Sequence, residues 1–164
     1  MKMQRFTYLL LMLCGAFAYS ALQGQTLNET LGTGAGASLS TGDYNTFLGD
    51  SAGAANSSGS NNTFIGQDAG VSNTTGVDNT YLGTRAGYFS TATDNTFIGT
   101  DAGYDNTSGS DNTFVGEQAG YENTTGRDNV FIGEDAGYNN TDGDDNTFIG
   151  STAGRTNTTG IRNT

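Results

Sequence analysis

Proline, tryptophan and histidine are absent from this chain, and cysteine occurs once, at Cys14. Without histidine, neither a Ser-His-Asp set nor the usual zinc-ligand spacing can be written, and no phosphate-binding loop is present. Paired carboxylates exist, as at Glu134 and Asp135, but Gln67-Asp68, Thr84-Arg85 and Glu117-Gln118 fill the same place in other units. A solvated rim is their natural reading. The expectation is a chain that is not an enzyme and needs no cofactor and no metal ion. Long apolar runs are scarce too: one occurs, over residues 6–18, with Thr7 as its clearly polar member. It is too short to span a bilayer. Lys2 and Arg5 precede it, and small residues around Ala18, Ser20 and Ala21 suit cleavage before Ala21. Residues 1–20 therefore read as a secretory signal peptide, and residues 21–27 as a short lead. A lipid-carrying Cys14 is disfavoured by Leu13, where such signals want a small residue. The localisation implied is secreted or outer cell surface.

Positive charge is the next shortage. After the signal, only Arg85, Arg127, Arg155 and Arg162 remain, against all 17 acidic residues, a balance of −13. Such a chain repels nucleic acid and anionic lipid, so neither is expected as a partner. No cysteine remains for a disulfide framework.

What is abundant is Gly, Asn, Thr, Ser and Asp, a mixture that often means disorder. Here it recurs on a schedule. Asn28, Asn45, Asn62, Asn79, Asn95, Asn112, Asn129, Asn146 and Asn163 are spaced by 17 residues, except for 16 between Asn79 and Asn95. Asn62, Phe64, Ile65 and Gly66 exemplify the core of the unit. Asn95, Phe97, Ile98 and Gly99 repeat it, as do Asn112, Phe114, Val115 and Gly116. Asn129, Phe131, Ile132 and Gly133, then Asn146, Phe148, Ile149 and Gly150, follow in phase. Asn28 opens a worn copy without the aromatic, as a capping repeat would. An echo at Asn73-Thr74-Thr75-Gly76 and Asn123-Thr124-Thr125-Gly126 suggests two short extended pieces per unit. The missing residue of the short unit falls in its second half, near residues 88–93, where a tighter corner is expected.

A 17-residue unit is too short for a helical pair, and it lacks helix formers. Its β-formers sit in one short core, and its Gly recurs where corners need positive φ. The fold class expected is all-β: a parallel β-roll or β-solenoid of about eight 17-residue coils over residues 28–164. At a coil spacing of ~4.8 Å the rod is roughly 40 Å long. Thr164 falls just after the opening of a new unit, as in a fragment of a longer chain.

Side chains alternate along a strand, so Phe64 and Ile65 must point opposite ways, as must each later pair. One rank fills the coil together with Ala52, Ala69, Ala86, Ala102, Ala119, Ala136 and Ala153. The other faces outward. Six Phe and a Tyr facing outward would be a large apolar stripe, which identical chains packed side by side would cover. A homo-oligomer is therefore expected.

The unit Asn-Thr-Phe-Ile-Gly-x-x-Ala-Gly resembles the head repeat of trimeric autotransporter adhesins, the YadA-like heads. It is also similar to bacterial surface proteins with NTFIG and NTTG blocks. The resemblance covers residues 28–164 and carries over to the Asn, apolar and Gly positions, such as Asn95, Ile98 and Gly99. This unit is longer than the usual head repeat. The resemblance implies left-handed β-rolls, a trimer, and an adhesive head that binds an unknown surface ligand through repeated weak contacts.

Three polar ranks invite other readings. The Asn rank is expected to stack as a structural ladder. Asp78, Asp94, Asp111, Asp128 and Asp145 precede the repeat Asn and read as turn caps, although calcium between coils would relieve their repulsion. Thr46, Thr63, Thr80, Thr96, Thr113 and Thr147 invite an ice-binding or other lattice-matching solenoid as the alternative function. Thr74, Thr107, Thr124, Thr141 and Thr158 are the set expected to be better exposed. Sequons such as Asn73-Thr74-Thr75 recur because the unit does.

Overall fold

The computed structural model describes residues 27–164, so the signal peptide, the lead before residue 27 and Cys14 lie outside the described residues. Each unit contributes one three-residue strand. In chain order these are β1 (Glu29–Leu31), β2 (Thr46–Leu48), β3 (Thr63–Ile65), β4 (Thr80–Leu82), β5 (Thr96–Ile98), β6 (Thr113–Val115), β7 (Val130–Ile132) and β8 (Thr147–Ile149). Each pairs in parallel with the next, so the chain winds as the expected β-solenoid, one coil per unit. Register advances by one unit at every step, as in Thr63↔Thr80 and Thr80↔Thr96, the second across the short coil. The echo motif forms no second strand. In the described residues each unit holds one strand, and the rest is turn and bend.

The alternation is resolved in one sense throughout. Phe47, Phe64, Tyr81, Phe97, Phe114 and Phe131 are fully buried, and Phe148 nearly so. They stack in a column with centroids 4.7–5.2 Å apart. Buried Ala52, Ala69, Ala86, Ala102, Ala119 and Ala136 complete the core. The outward aromatic stripe is therefore absent, and Ile65, Ile98, Val115, Ile132 and Ile149 are not core residues. The first three are half-buried and the last two exposed, on the outer side of the strands.

Glycine decides which rank goes inside. Gly120 has φ +61°, and a Cβ there would stand 2.5 Å from the ring of Phe114. The ring lies flat over bare backbone, which a branched aliphatic side chain would not fill. Gly116, at the corner after the strand, has φ +139° and abuts the backbone of the next coil.

The 16-residue coil departs from its neighbours at two places that touch. Tyr81 stands where the others have Phe, and Ser90 where they have a buried Asn. The Tyr81 hydroxyl lies 2.7 Å from Ser90 Oγ, which also accepts from Asn106 Nδ2 at 3.2 Å. The hydroxyl on the ring thus meets the polar partner that a shorter side chain leaves. Burial pushes the Tyr81 hydroxyl well above its ordinary value near 10. The folded chain then keeps this proton where the unfolded chain releases it, so stability falls as pH rises above about 10. Tyr81→Phe is expected to cost about 1 kcal/mol near neutral pH. That deficit should shrink at about pH 11, where the phenol itself becomes a liability. Urea unfolding of both chains at the two pH values checks this; a deficit that widens with pH contradicts it.

Candidate functional site

Two ladders of amides hold the coil open at a fixed width. The first is the repeat Asn rank. Asn62 Nδ2 donates to Asn45 Oδ1 at 3.1 Å and to Gly76 O at 2.8 Å, while its backbone N–H donates to Asn45 Oδ1 at 2.9 Å. The pattern recurs at Asn129 and Asn146. Asn95 and Asn112 keep the bonds to the preceding Asn Oδ1 through the backbone and to a Gly carbonyl through Nδ2. All lie within the protein, at most 1% exposed. The second ladder is the echo Asn: Asn123 Nδ2 donates to Asn106 Oδ1 at 2.7 Å, and Asn140 Nδ2 to Asn123 Oδ1 at 2.8 Å. Both ranks are structural, as expected for the first.

The Asp rank has a backbone reason. Asp78, Asp94, Asp111, Asp128 and Asp145 all have φ between 56° and 60°, the left-handed region that Asp and Asn tolerate best among residues with a side chain. All five are exposed. Among the described residues no group of three acidic, His or Cys side chains could hold a metal ion. Asp145 of this rank meets Arg162 at 3.5 Å, and two carboxylates at the other left-handed position also find cations. Arg85 meets Asp101 at 2.7 Å, and Arg155 meets Asp135 at 3.2 Å, each across one coil boundary.

A second aromatic column, not expected from the sequence, runs along the coils. Tyr88, Tyr104, Tyr121 and Tyr138 stack with centroids 5.0–5.1 Å apart. Arg85 lies over Tyr104 at 5.6 Å and Arg155 over Tyr138 at 5.0 Å. Partial burial raises the hydroxyls of Tyr104, Tyr121 and Tyr138. Their ring faces are occupied by one another, so the column braces the solenoid and leaves only edges to solvent. Tyrosines at unit spacing were the visible signal.

The outer side of the strands is the surface with a candidate function. Every strand turns its first and third side chains outward and its middle one inward. One outward column is Glu29, Thr46, Thr63, Thr80, Thr96, Thr113, Val130 and Thr147; the other is Leu31, Leu48, Ile65, Leu82, Ile98, Val115, Ile132 and Ile149. Of these outward positions only Glu29 is charged, although the described chain carries 17 acidic side chains and four arginines. The rest of that charge sits in the turns. The column of rings beneath the face is regular: successive ring planes differ by 4–7° from Phe64 to Phe131 and by 14–15° at its two ends.

The two threonine sets differ in what their hydroxyls do. In the second set, Thr107 Oγ1 donates to Thr124 O, and Thr124 Oγ1 to Thr141 O, both at 2.9 Å. Thr141 Oγ1 donates to Thr158 O at 3.1 Å. That set lies in a turn with its donors engaged in the coil stack. On the strand face no side-chain hydrogen bond engages the hydroxyls of Thr63, Thr80, Thr96 and Thr113 within the protein. The second set is the more exposed of the two, as expected, but the hydroxyls of Thr107, Thr124 and Thr141 are already committed to the fold.

Compared with known proteins, the chain matches no family model, no curated protein and no solved structure. Among the described residues no helix is long and apolar enough to cross a membrane.

Proposed function

We propose that this chain is an exported structural rod that adheres to a surface through its outward Thr and aliphatic face. One observation carries the reading: a chain of strong negative charge keeps one long face free of charge beyond Glu29. Charge dispersed at random over the exterior would not avoid one side of the seven coils that follow. Such a face binds by many equal, weak contacts whose strengths multiply along the rod. The apolar run behind Lys2 and Arg5 supports export, and the likeness of the unit to YadA-like heads supports adhesion.

The expectation of a homo-oligomer rests on an outward aromatic stripe, and the aromatic rank is inside; a trimer is what the likeness to YadA-like heads implies. Sedimentation equilibrium of the chain lacking residues 1–20 is expected to give a monomer. A trimer that falls apart when Thr80 and Thr113 are changed to Glu would place copies of the chain on this face instead.

Adhesion itself is testable on a quartz microbalance. The chain is expected to be retained on a mixed hydroxyl- and methyl-terminated layer and rejected by a carboxylated one. The Thr80→Glu, Thr113→Glu double variant should lose retention by about tenfold or more, because each introduced carboxylate must be desolvated. Equal retention of both chains would refute the assignment of the face.

A further inference from the structure

The geometry points to a periodic solid as the occupant of this face, and to ice as that solid; the inference rests on the adhesive-face reading above. Four properties of the face select among partners. It carries no charge beyond Glu29, which argues against ionic minerals and charged polymers. It carries no aromatic side chain, whereas protein hot spots are rich in Tyr and Trp, and sugars are commonly held on aromatic rings. Its area is small. Seven strand intervals at ~4.8 Å and a width of roughly 10 Å give about 350 Å², under half of the ~800 Å² that each partner of a stable protein pair buries. A second copy would also bring a further net charge of −13 against the first.

The fourth property is regularity. The column under the face repeats every 4.7–5.2 Å, and the short coil does not break the phase, because Thr80 and Thr96 remain register partners. Across the strand the two columns lie two residues apart, roughly 6.6 Å. Each threonine offers one hydroxyl and one methyl on a side chain with a restricted χ1. Val130 keeps the shape and loses only the hydroxyl. Ile65, Ile98, Val115, Ile132 and Ile149 are branched and stiff in the same way. Apart from Glu29, Leu31, Leu48 and Leu82, which are not β-branched, the rows are therefore fixed before contact, and ordering them costs little. Rigid, evenly spaced methyl and hydroxyl groups can hold water in a lattice and merge with a growing crystal. A molecule anchored there forces the crystal front to curve between attachment points, which opens a gap between freezing and melting.

The test is thermal hysteresis and crystal shape in a nanolitre osmometer, using the chain without residues 1–20 at millimolar concentration. The unaltered protein is expected to open a freezing gap and facet the crystals. Thr96→Lys with Thr113→Lys should shrink the gap by about fivefold or more, with the circular dichroism melt unchanged. Asp111→Asn, in a turn off the face, should leave it intact. A folded chain that neither shapes ice nor opens a gap overturns the inference, as does a gap indifferent to the two lysines. If ice activity is missing while microbalance retention still depends on the face, the ice assignment falls and the adhesive face stands. Loss of both removes both.

Discussion

Gly116→Ala is expected to cost more than about 4 kcal/mol and to break the rod into two separately melting blocks. Two independent effects add. The residue has φ +139°, a region essentially reserved for glycine. The new Cβ would also stand 2.5 Å from the Gly133 carbonyl carbon and 3.0 Å from Glu134 N. Both are backbone atoms of the next coil, so no side chain can swing aside. Relief would require the coils to separate where Gly116 N donates to Ile98 O at 2.8 Å and Gly133 N to Val115 O at 2.7 Å. Because each coil touches only its neighbours, damage at one junction divides the stack there. Thermal unfolding followed by circular dichroism should show two transitions, both below that of the unaltered chain. Ser108→Ala, at an exposed turn, should stay within about 0.5 kcal/mol of it. A single transition at the original temperature for Gly116→Ala would mean that the coils are not stacked as described.

Asn112→Leu is expected to be the next most damaging, at roughly 3 kcal/mol. Leucine nearly matches the volume but offers no polar atoms. The Asn129 backbone N–H, which donates to Asn112 Oδ1 at 3.0 Å, then has no acceptor in a buried site. The other two groups fare better. Asn129 Nδ2 keeps Gly143 O at 2.8 Å, and Gly126 O keeps Asn123 Nδ2 at 3.0 Å. Asn112→Asp separates this account from a simple packing loss. It restores an acceptor but sets a carboxylate against the Gly126 carbonyl, which Asn112 Nδ2 otherwise meets at 2.9 Å. Burial would raise the folded pKa of the introduced carboxyl above the ordinary value near 3.9. The folded state then binds the proton at higher pH than the unfolded state. Stability of this variant should rise, relative to the unaltered chain, as pH falls through the folded value toward about 4. Chemical denaturation across that range reads the trend directly; a difference constant with pH would show that the amide's acceptor is all that matters.

Much of this architecture can be read from residue order alone, because coil stacking repeats its demands once per unit. The period, the one-residue deletion, the buried Asn rank and the Ala core follow from spacing. The direction of the Phe and Ile ranks does not. Alternation says that Phe64 and Ile65 oppose one another and is silent on which goes in. The deciding term is the hollow above Gly70, where a Cβ would lie 2.6 Å from the Phe64 ring, and that contact joins residues six apart across a corner. Exposure of the Thr set on the strands was undervalued for the same reason: with Phe placed outside, Thr63 would have turned inward. The parallel stacking of the rings arises between units and has no local signature. The Tyr88 to Tyr138 column is visible in the sequence only as four tyrosines at unit spacing.

The 16-residue coil bears on how such a chain finds its structure at all. When units are nearly interchangeable, the closest competitor of the native stack is the same stack slipped by one unit, with every Asn, Phe and Gly still matched. Most coils would not register the error. Nor would the coil from Asn79 to Asp94, because the Tyr81 hydroxyl and Ser90 Oγ lie in the same coil and travel together, while its neighbours carry Phe and Asn at these places in either register. A deletion that looks like wear in the repeat is thus compensated inside the coil that carries it. A periodic chain can absorb such a change wherever both partners change together.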